Sequence, residues 1–155
     1  MCKMEGIKDR MDKVLKIYKS DCIFLREVDV DYPIGNGVFS LGKTYYTNEN
    51  LDHMTSIEAQ LCLNQLSYVC FTEWILEGRF KGLEDLSFED YLRLMEENML
   101  IIDSKIRFKK PIENGQIIGQ IEVTRIKKYG NLYITFLDFN LEGKCFGELE
   151  LVLKK

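Results

Sequence analysis

The stretch over residues 45–78 (YYTNENLDHMTSIEAQLCLNQLSYVCFTEWILEG) constrains what this chain can fold into more than any other. Thr55 is a candidate N-cap and Glu58 completes a capping box, so a helix is predicted to begin there. Gly78 is a suitable C′ residue for its end. Apolar side chains lie on nearly every side of this helix: Ile57, Leu61, Leu63, Leu66, Tyr68, Val69, Cys70, Phe71, Trp74 and Ile75. A helix that is apolar nearly all round is buried on several sides.

One polar residue, Asn64, interrupts this apolar surface on the same stripe as Leu61 and Tyr68. A buried amide without hydrogen-bond partners costs about 1–3 kcal/mol. Asn64 is therefore expected either to bind a neighbouring strand as a core amide or to serve chemistry. Cys62 and Cys70, in the same helix, are expected to be small core residues rather than reactive thiols.

The chain before this helix predicts three short elements. An amphipathic helix is predicted over residues 5–19, and a first strand over residues 22–30. The strand is expected to end at Tyr32-Pro33, because proline cannot extend a paired central strand. Gly35-Asn36-Gly37 then predicts a turn with positive φ, followed by a short extended piece over residues 38–47.

After the long helix, Ser87 and Asp90 form a second capping box for a helix predicted to end at Asn98. The rest of the chain is rich in β-formers or alternates between apolar and polar residues, with turns between the runs. It predicts four strands, over residues 100–109, 117–124, 132–139 and 145–153. Because consecutive strands with short turns form an antiparallel meander, we predict an α+β fold whose sheet curls around the long helix.

The composition fits one globular domain over residues 1–155, with an N-terminal helical segment over residues 1–20. The net charge of −4 argues against a nucleic-acid binder. Five scattered cysteines without a CxxC pair form neither a disulfide framework nor a zinc site, and we expect no metal and no cofactor. The charged start MCKMEGIKDR lacks the apolar run of a signal peptide. No segment has the roughly 20 apolar residues of a membrane span, so a cytoplasmic location is predicted.

Three sequence segments resemble those of a known fold and family. FKKPIENGQIIGQIEV is similar to the hotdog-fold segment in which a strand ends at proline and restarts after a glycine turn. YPIGNGVF and DHMTSIEAQLCLNQLSYV resemble the FcoT-type fatty-acyl-CoA thioesterases, whose helix carries a His-x-x-x-x-Glu…Asn-Gln pattern. The resemblance covers most of the chain from Tyr32 onward. It implies a long central helix wrapped by a curved antiparallel sheet.

The resemblance also implies a substrate, an assembly and a set of site residues. The substrate would be a thioester, either acyl-CoA or an acyl carrier protein, and the protein an obligate homodimer or higher homo-oligomer with active sites between subunits. The site would lack the helix carboxylate of many hotdog thioesterases and would use a tyrosine and asparagine cluster. The matching positions are Tyr32, Tyr45 or Tyr46, and Asn64.

Other residues near the helix start suit thioester chemistry on physical grounds. Free N–H groups at the helix start, near Thr55 and Ser56, can stabilise an oxyanion and contact the substrate. Histidine is the side chain best suited to act as an acid or base near neutral pH, so His53 is a candidate, although a lone loop histidine is more often a surface residue. Glu58 is either a general base or only a capping residue. Tyr68 either lines an acyl channel or packs in the core.

Two basic groups on the strands also have two interpretations. Lys105, Arg107 and Lys109 alternate along one strand, and Arg125, Lys127 and Lys128 end the next. They either cradle CoA phosphates or an acidic carrier protein, or they form a solvated outer face of the sheet.

Three functions follow as hypotheses. The first is hydrolysis of a medium- or long-chain acyl thioester. The second is a lyase-type reaction on an enoyl thioester, including addition of glycine to an enoyl-carrier protein, to which FcoT-like proteins have been linked. Ordinary dehydration is disfavoured, because Ser67 occupies the position where hotdog dehydratases place a helix carboxylate. The third is a non-catalytic acyl-binding protein, which would be supported by a pocket filled with side chains.

Overall fold

The computed structural model describes residues 3–44 and 46–155. It contains three α-helices and six β-strands, in this order: α1 Lys3–Leu15, β1 Leu25–Asp31, β2 Ile34–Leu41, α2 Ser56–Leu76, α3 Phe88–Asn98, β3 Met99–Phe108, β4 Gly115–Tyr129, β5 Leu132–Leu141 and β6 Cys145–Lys154. A short 3₁₀ turn at Ser20–Cys22 separates α1 from β1. The predicted α+β class is confirmed, and every predicted helix and strand is found with ends shifted by a few residues.

The long helix α2 begins and ends as its sequence predicts. The Thr55 hydroxyl accepts from the backbone N–H of Ile57, and the Glu58 carboxylate accepts from the backbone N–H of Thr55 at 2.9 Å, so the capping box is formed. At the other end Gly78 has φ of 73°. There the N–H of Arg79 donates to the carbonyl of Trp74 at 2.8 Å, as in the helix-ending motif that favours glycine.

The six strands form one antiparallel sheet in the order β1-β2-β4-β5-β6-β3. The meander prediction is confirmed for β4, β5 and β6, but it is wrong for β3. This strand lies at the sheet edge beside β6, from Met99 opposite Leu153 to Phe108 opposite Cys145. The reason is that the chain after β3 pairs with the approach to α2 instead of forming a hairpin. Met54 donates its N–H to the carbonyl of Ile112 at 2.8 Å.

The hairpin between β1 and β2 also differs from the prediction. Its turn is Tyr32-Pro33, whereas Gly35-Asn36-Gly37 lies inside β2 and is paired on both sides. Neither glycine has positive φ. Both face α2, and a Cβ added to Gly35 would lie 2.2 Å from the sulfur of Cys70. These glycines therefore allow α2 to pack closely against the sheet and do not form a turn.

Helix α2 is the centre of the core. It packs against β1, β2, β3 and β4 and against both other helices. Cys62 and Cys70 are fully buried, which confirms them as core residues, and burial raises the pKa of the Cys70 thiol. Helix α1 is fixed to α2 by Arg10, which donates to both oxygens of buried Glu73 at 2.7 Å. In the described part of the chain, no helix has an apolar stretch long enough to cross a membrane.

Candidate functional site

A groove of about 320 Å³ lies between the open face of α2 and the edge strand β3. Its lining combines amide, hydroxyl and apolar side chains: Gln60, Asn64, Tyr68, Leu100, Ile101, Ile102, Asp103 and Ser104. Strand β3 is the last strand of the sheet, and within residues 3–44 and 46–155 no further strand pairs with its outer edge. Asn64, which the sequence predicts as a site residue, lines this groove.

Asn64 is half-buried rather than a core amide. Its Oδ1 accepts a hydrogen bond from Nε2 of Gln60 at 2.8 Å. Among the described residues, no acceptor lies within hydrogen-bonding distance of its Nδ2. Of the two alternatives for Asn64, the core amide bound to a neighbouring strand is not found, because its partner Gln60 lies one turn earlier on α2. Asn64 presents two N–H donors that a ligand oxygen in the groove can use.

Tyr68 lies one turn beyond Asn64 and also lines the groove. It is half-buried, and this burial raises its pKa, so the phenol stays protonated at neutral pH. Tyr18, which the sequence analysis did not select, lies nearby. Burial, followed by the proximity of Tyr68, raises the pKa of Tyr18 as well. Tyr68 therefore places a neutral phenol in the groove lining.

A second cluster, formed by Tyr46, Thr55 and Glu58, lies at the start of α2. The Tyr46 hydroxyl donates to Oε1 of Glu58 at 2.5 Å and is 2.5 Å from the hydroxyl of Thr55. Oε2 of Glu58 accepts from both the backbone N–H and the hydroxyl of Thr55. Three of the predicted site residues are thus brought together, and their hydrogen bonds are made to one another.

The charges in this cluster are fixed by these contacts. Burial acts to raise the pKa of Glu58, but the hydrogen bonds from Thr55 and Tyr46 outweigh it and lower its pKa from the usual 4.5. Partial burial, and then the hydrogen bond to Glu58, raise the pKa of Tyr46. Glu58 is therefore an ionised carboxylate with both oxygens occupied, which makes it a weak proton acceptor at neutral pH.

The other candidate site residues near the start of α2 are His53, Ser56 and Tyr45. His53 is exposed, and its backbone pairs with that of Glu113. Ser56 is exposed and is the first residue of α2. Tyr45, the other tyrosine predicted for this loop, lies outside the described residues. For His53 and Ser56, catalytic and binding roles stay predictions.

Tyr32 lies far from Asn64 in the single chain. Its ring packs edge-on against Trp74 with 5.7 Å between ring centroids, and the guanidinium of Arg79 lies 5.5 Å from its ring. Trp74 is ten residues beyond Asn64, or about 15 Å along the helix axis. One chain therefore does not bring these two predicted catalytic residues to one point. The catalytic role of Tyr32 stays a prediction.

Two glutamines that are not among the predicted site residues have distinct roles. Gln65 is fully buried; its Oε1 accepts from the N–H groups of Phe24 and Leu25, and its Nε2 donates to the carbonyl of Cys22. It thus fixes the start of β1 to α2. Gln60 lies in the groove beside Asn64. Its spacing of four residues from Asn64 is a signal that the sequence did carry.

Most of the basic residues of the strands lie on the outer face of the sheet. Lys128 instead lies 5.2 Å from the ring centre of buried Tyr133 and donates to the carbonyl of Lys81 at 3.2 Å. Lys105, Arg107 and Lys109 are exposed, and Lys105 forms an ion pair with Glu148 at 3.1 Å. The guanidinium of Arg125 lies 4.1 Å from the centre of the Phe136 ring. Among residues 3–44 and 46–155, no group of three or more His, Cys, Asp or Glu side chains is arranged to hold a metal ion.

Comparison with known proteins gives one family and several relatives. The model of a family described as FcoT-like thioesterase domain matches residues 13–153. A protein of Streptomyces coeruleorubidus named (2E)-enoyl-[ACP] glycyltransferase is 26% identical over 154 residues, covering 91% of this chain and 93% of its own. A protein of the same name from Mycobacterium tuberculosis strain H37Rv is 29% identical over 129 residues, covering 78% and 69%.

Solved structures identify the fold. A crystal structure of a thioesterase from Haemophilus influenzae superposes with a TM-score of 0.57 at 9% identity, covering 99% of this chain and 91% of that one. At this identity the likeness shows the fold alone. With the antiparallel sheet wrapped around α2, it confirms the hotdog fold that the sequence resemblance implied.

Proposed function

This chain belongs to the FcoT-like thioesterase domain family, whose members are hotdog enzymes that act on thioesters, and we propose that it adds an amine to an enoyl thioester. We propose glycine as the amine and an acyl carrier protein as the carrier of the enoyl group. Both follow from the name of the relatives, (2E)-enoyl-[ACP] glycyltransferase, which match 78–91% of this chain.

One observation carries this proposal: the groove offers hydrogen-bond donors, while the nearby helix carboxylate is occupied. Asn64 accepts a hydrogen bond at Oδ1, but its NH₂ group has no partner among the described residues and suits an oxygen that gains negative charge. Glu58, the carboxylate predicted as a base, is held by Tyr46 and Thr55. Water needs a base before it attacks a thioester, whereas the fraction of glycine that has lost its ammonium proton to solvent already carries the lone pair that attacks an enoyl group.

The proposed reaction balances without a cofactor. The nitrogen of glycine, after its ammonium group has lost a proton to solvent, forms a bond to the β-carbon of the enoyl group. The α,β π pair becomes a bond between the α-carbon and the carbonyl carbon, and the carbonyl π pair moves onto the thioester oxygen. Asn64 Nδ2 stabilises this enolate by donating to its oxygen. A proton then passes from the new ammonium group to the α-carbon, which restores the thioester carbonyl. No group leaves, and the acyl chain stays on its carrier.

Hydrolysis of a saturated acyl thioester is the second candidate, and the family description favours it. The same Asn64 donors would stabilise a tetrahedral oxyanion. The difference lies in the nucleophile, because hydrolysis would need a base to activate water. Two residues are candidates for that base: Asp103, which lines the groove, and His53, which is exposed near the helix start.

We also propose that the active protein is a homodimer in which two β3 strands pair. The first four residues of β3 are apolar, and Leu100 and Ile102 are 62% and 51% exposed. The other edge strand, β1, instead exposes charged residues, which discourage pairing. A partner on β3 would cover the open side of the groove and exclude water from it.

We propose a reducing, cytoplasmic setting for this activity. Support comes from Cys22, Cys62, Cys70 and Cys145, the four cysteines that the structure describes, all of which are free thiols.

The test compares two reactions on one set of thioesters. Saturated and 2-enoyl acyl groups are loaded on an acyl carrier protein and on CoA, then incubated with the protein with and without glycine. Mass spectrometry detects the glycine adduct on the intact thioester, and a thiol reagent detects hydrolysis. We expect the adduct from the enoyl substrates only, and slow thiol release from all of them.

The test variant is Asn64→Ala in the groove. Its control is Asn36→Ala on the outer face of the sheet, where Asn36 contacts Gln120. Asn64→Ala is expected to abolish adduct formation and Asn36→Ala to leave it unchanged. Rapid thiol release without an adduct would overturn the proposal in favour of hydrolysis. Tight acyl binding without either product would overturn both in favour of an acyl-binding protein.

A further inference from the structure

A chain of three polar side chains crosses from β3 to α2 inside the groove. The hydroxyl of Ser104 donates to Oε1 of Gln60 at 2.5 Å, and Nε2 of Gln60 donates to Oδ1 of Asn64 at 2.8 Å. All three side chains are half-buried and line the same groove. They join the edge strand to the helix through side chains alone.

The direction of these hydrogen bonds decides which end of the Asn64 amide faces a ligand. An amide oxygen only accepts and an amide nitrogen only donates, whereas a serine hydroxyl can do either. With Ser104 donating, Gln60 must present its nitrogen to Asn64, and Asn64 must present its oxygen to Gln60. The NH₂ group of Asn64 is then left for the groove. A reversed amide would present an oxygen, which repels an oxyanion.

We propose that Gln60 and Ser104 are positioning residues that hold the Asn64 amide in its donor orientation toward the thioester oxygen. This rests on the proposed function of Asn64. Neither residue needs to touch the substrate. Ser104 acts through Gln60, and Gln60 acts through Asn64. A donor that is oriented before the reaction begins stabilises the developing charge without reorganising.

The first test reverses the direction of the hydrogen bond between Gln60 and Asn64. In Gln60→Glu the carboxylate accepts both from Ser104 and from the amide nitrogen of Asn64, so the Asn64 oxygen turns toward the groove. We expect kcat to fall about 100-fold, with KM changed by no more than about twofold. Gln116→Glu is the charge-matched control, since Gln116 is exposed at the start of β4, and it should keep the wild-type kcat.

The second test separates positioning from structure. Ser104→Ala should lower kcat about tenfold, and Ser104→Thr, which keeps the hydroxyl, should restore it to within about twofold. The double variant Gln60→Glu with Asn64→Ala should be no slower than Asn64→Ala alone, because Gln60 acts only through Asn64. Additive losses in the double variant, or a Ser104→Thr as slow as Ser104→Ala, would overturn the proposal.

An NMR measurement keeps this proposal separate from the proposed reaction. The side-chain NH₂ signals of Asn64, assigned by their loss in Asn64→Ala, report its hydrogen bonding in the absence of substrate. We expect fast exchange with water in the wild type and slowed exchange of one proton in Gln60→Glu. Slowed exchange in the wild type would overturn the orientation even if the enzyme is active. If the exchange rates are as expected but no glycine adduct forms, only the proposed reaction is overturned and the orientation of Asn64 stands.

Discussion

Gly35 of β2 lies directly beneath Cys70 of α2, so close that a Cβ on Gly35 would stand 2.2 Å from the cysteine sulfur. Gly37 lies two residues along the same face, where an added Cβ would stand 3.0 Å from Leu66. The two positions set the distance between the helix and the sheet. They explain why α2 can lie in the curve of the sheet while its opposite side faces the groove.

Substituting Gly35 should therefore overpack the helix–sheet contact. We expect Gly35→Ala to lower the free energy of unfolding by about 3 kcal/mol, measured by urea denaturation. Combining it with Cys70→Ala should recover about 1–2 kcal/mol of that loss, because the clashing sulfur is removed. Gly42→Ala is the control, since nothing lies within 4 Å of its added Cβ. Equal losses at Gly35 and Gly42 would contradict the close approach.

Features that depend on local sequence were predictable. Both capping boxes, at Thr55 and at Ser87, form as their sequence spacing indicates. Cap residues and apolar periodicity act within one or two helical turns, so a single segment contains the whole signal. The same local rules failed at Gly35-Asn36-Gly37, where the composition is typical of a turn. Only the contact with a helix thirty residues away explains these glycines.

Features that depend on strand order were not predictable. The position of β3 beside β6 follows from the pairing of residues 112–114 with the approach to α2, which no local pattern contains. Because Ser104 lies on β3, its contact with Gln60 could not be predicted from the sequence either. Asn64 itself was identifiable as a polar residue on an apolar stripe. Its orientation, on which its chemistry depends, was not.

The contact between Arg10 and Glu73 should dominate the docking of α1. Glu73 is a buried carboxylate, so removing its cation leaves a charge without its partner. We expect Arg10→Met to lower the free energy of unfolding by about 3 kcal/mol. The matched control is Lys13→Met on the same helix, where the ion pair with Asp9 is exposed and is worth less than about 1 kcal/mol. Comparable losses in urea denaturation would argue against a dominant buried pair.

Glu58 should contribute stability that depends on pH. Its folded-state pKa lies below 4.5, so its contribution is fully present above that value and is lost as the pH falls through the folded-state pKa. We expect Glu58→Gln to cost about 1 kcal/mol near neutral pH. The difference from wild type should shrink at about pH 3, as shown by denaturation at both pH values. Glu96→Gln, on the exposed face of α3, is the control.

The same Glu58 variant separates capping from catalysis. If Glu58 is a capping residue, kcat of Glu58→Gln should stay within about tenfold of wild type; loss of a general base would lower it about 10²–10⁴-fold. The assay is adduct formation at a temperature where circular dichroism shows the variant to be folded. A loss of the larger size would restore Glu58 as a base in the addition reaction.

The exposed edge of β3 should control both assembly and activity. We expect Ile102→Asp to convert a dimer to a monomer in light scattering, because it places a charge on the apolar pairing edge. Adduct formation should fall with it, since the groove loses its cover. Ile118→Asp is the control, because Ile118 is as exposed but lies on β4, away from that edge. A monomeric wild type, or an active monomeric variant, would contradict the proposed assembly.

The decisive group on Asn64 should be its NH₂, and Asn64→Asp isolates it. Aspartate has nearly the same shape but offers only acceptors at neutral pH. If donation to the thioester oxygen drives the reaction, Asn64→Asp should lower kcat by at least as much as Asn64→Ala, about 10²–10³-fold. If Asn64 instead orients the incoming amine through its oxygen, Asn64→Asp should retain activity and lower KM for glycine. Steady-state kinetics with glycine varied distinguish the two, with Asn36→Asp on the outer face as the matched control.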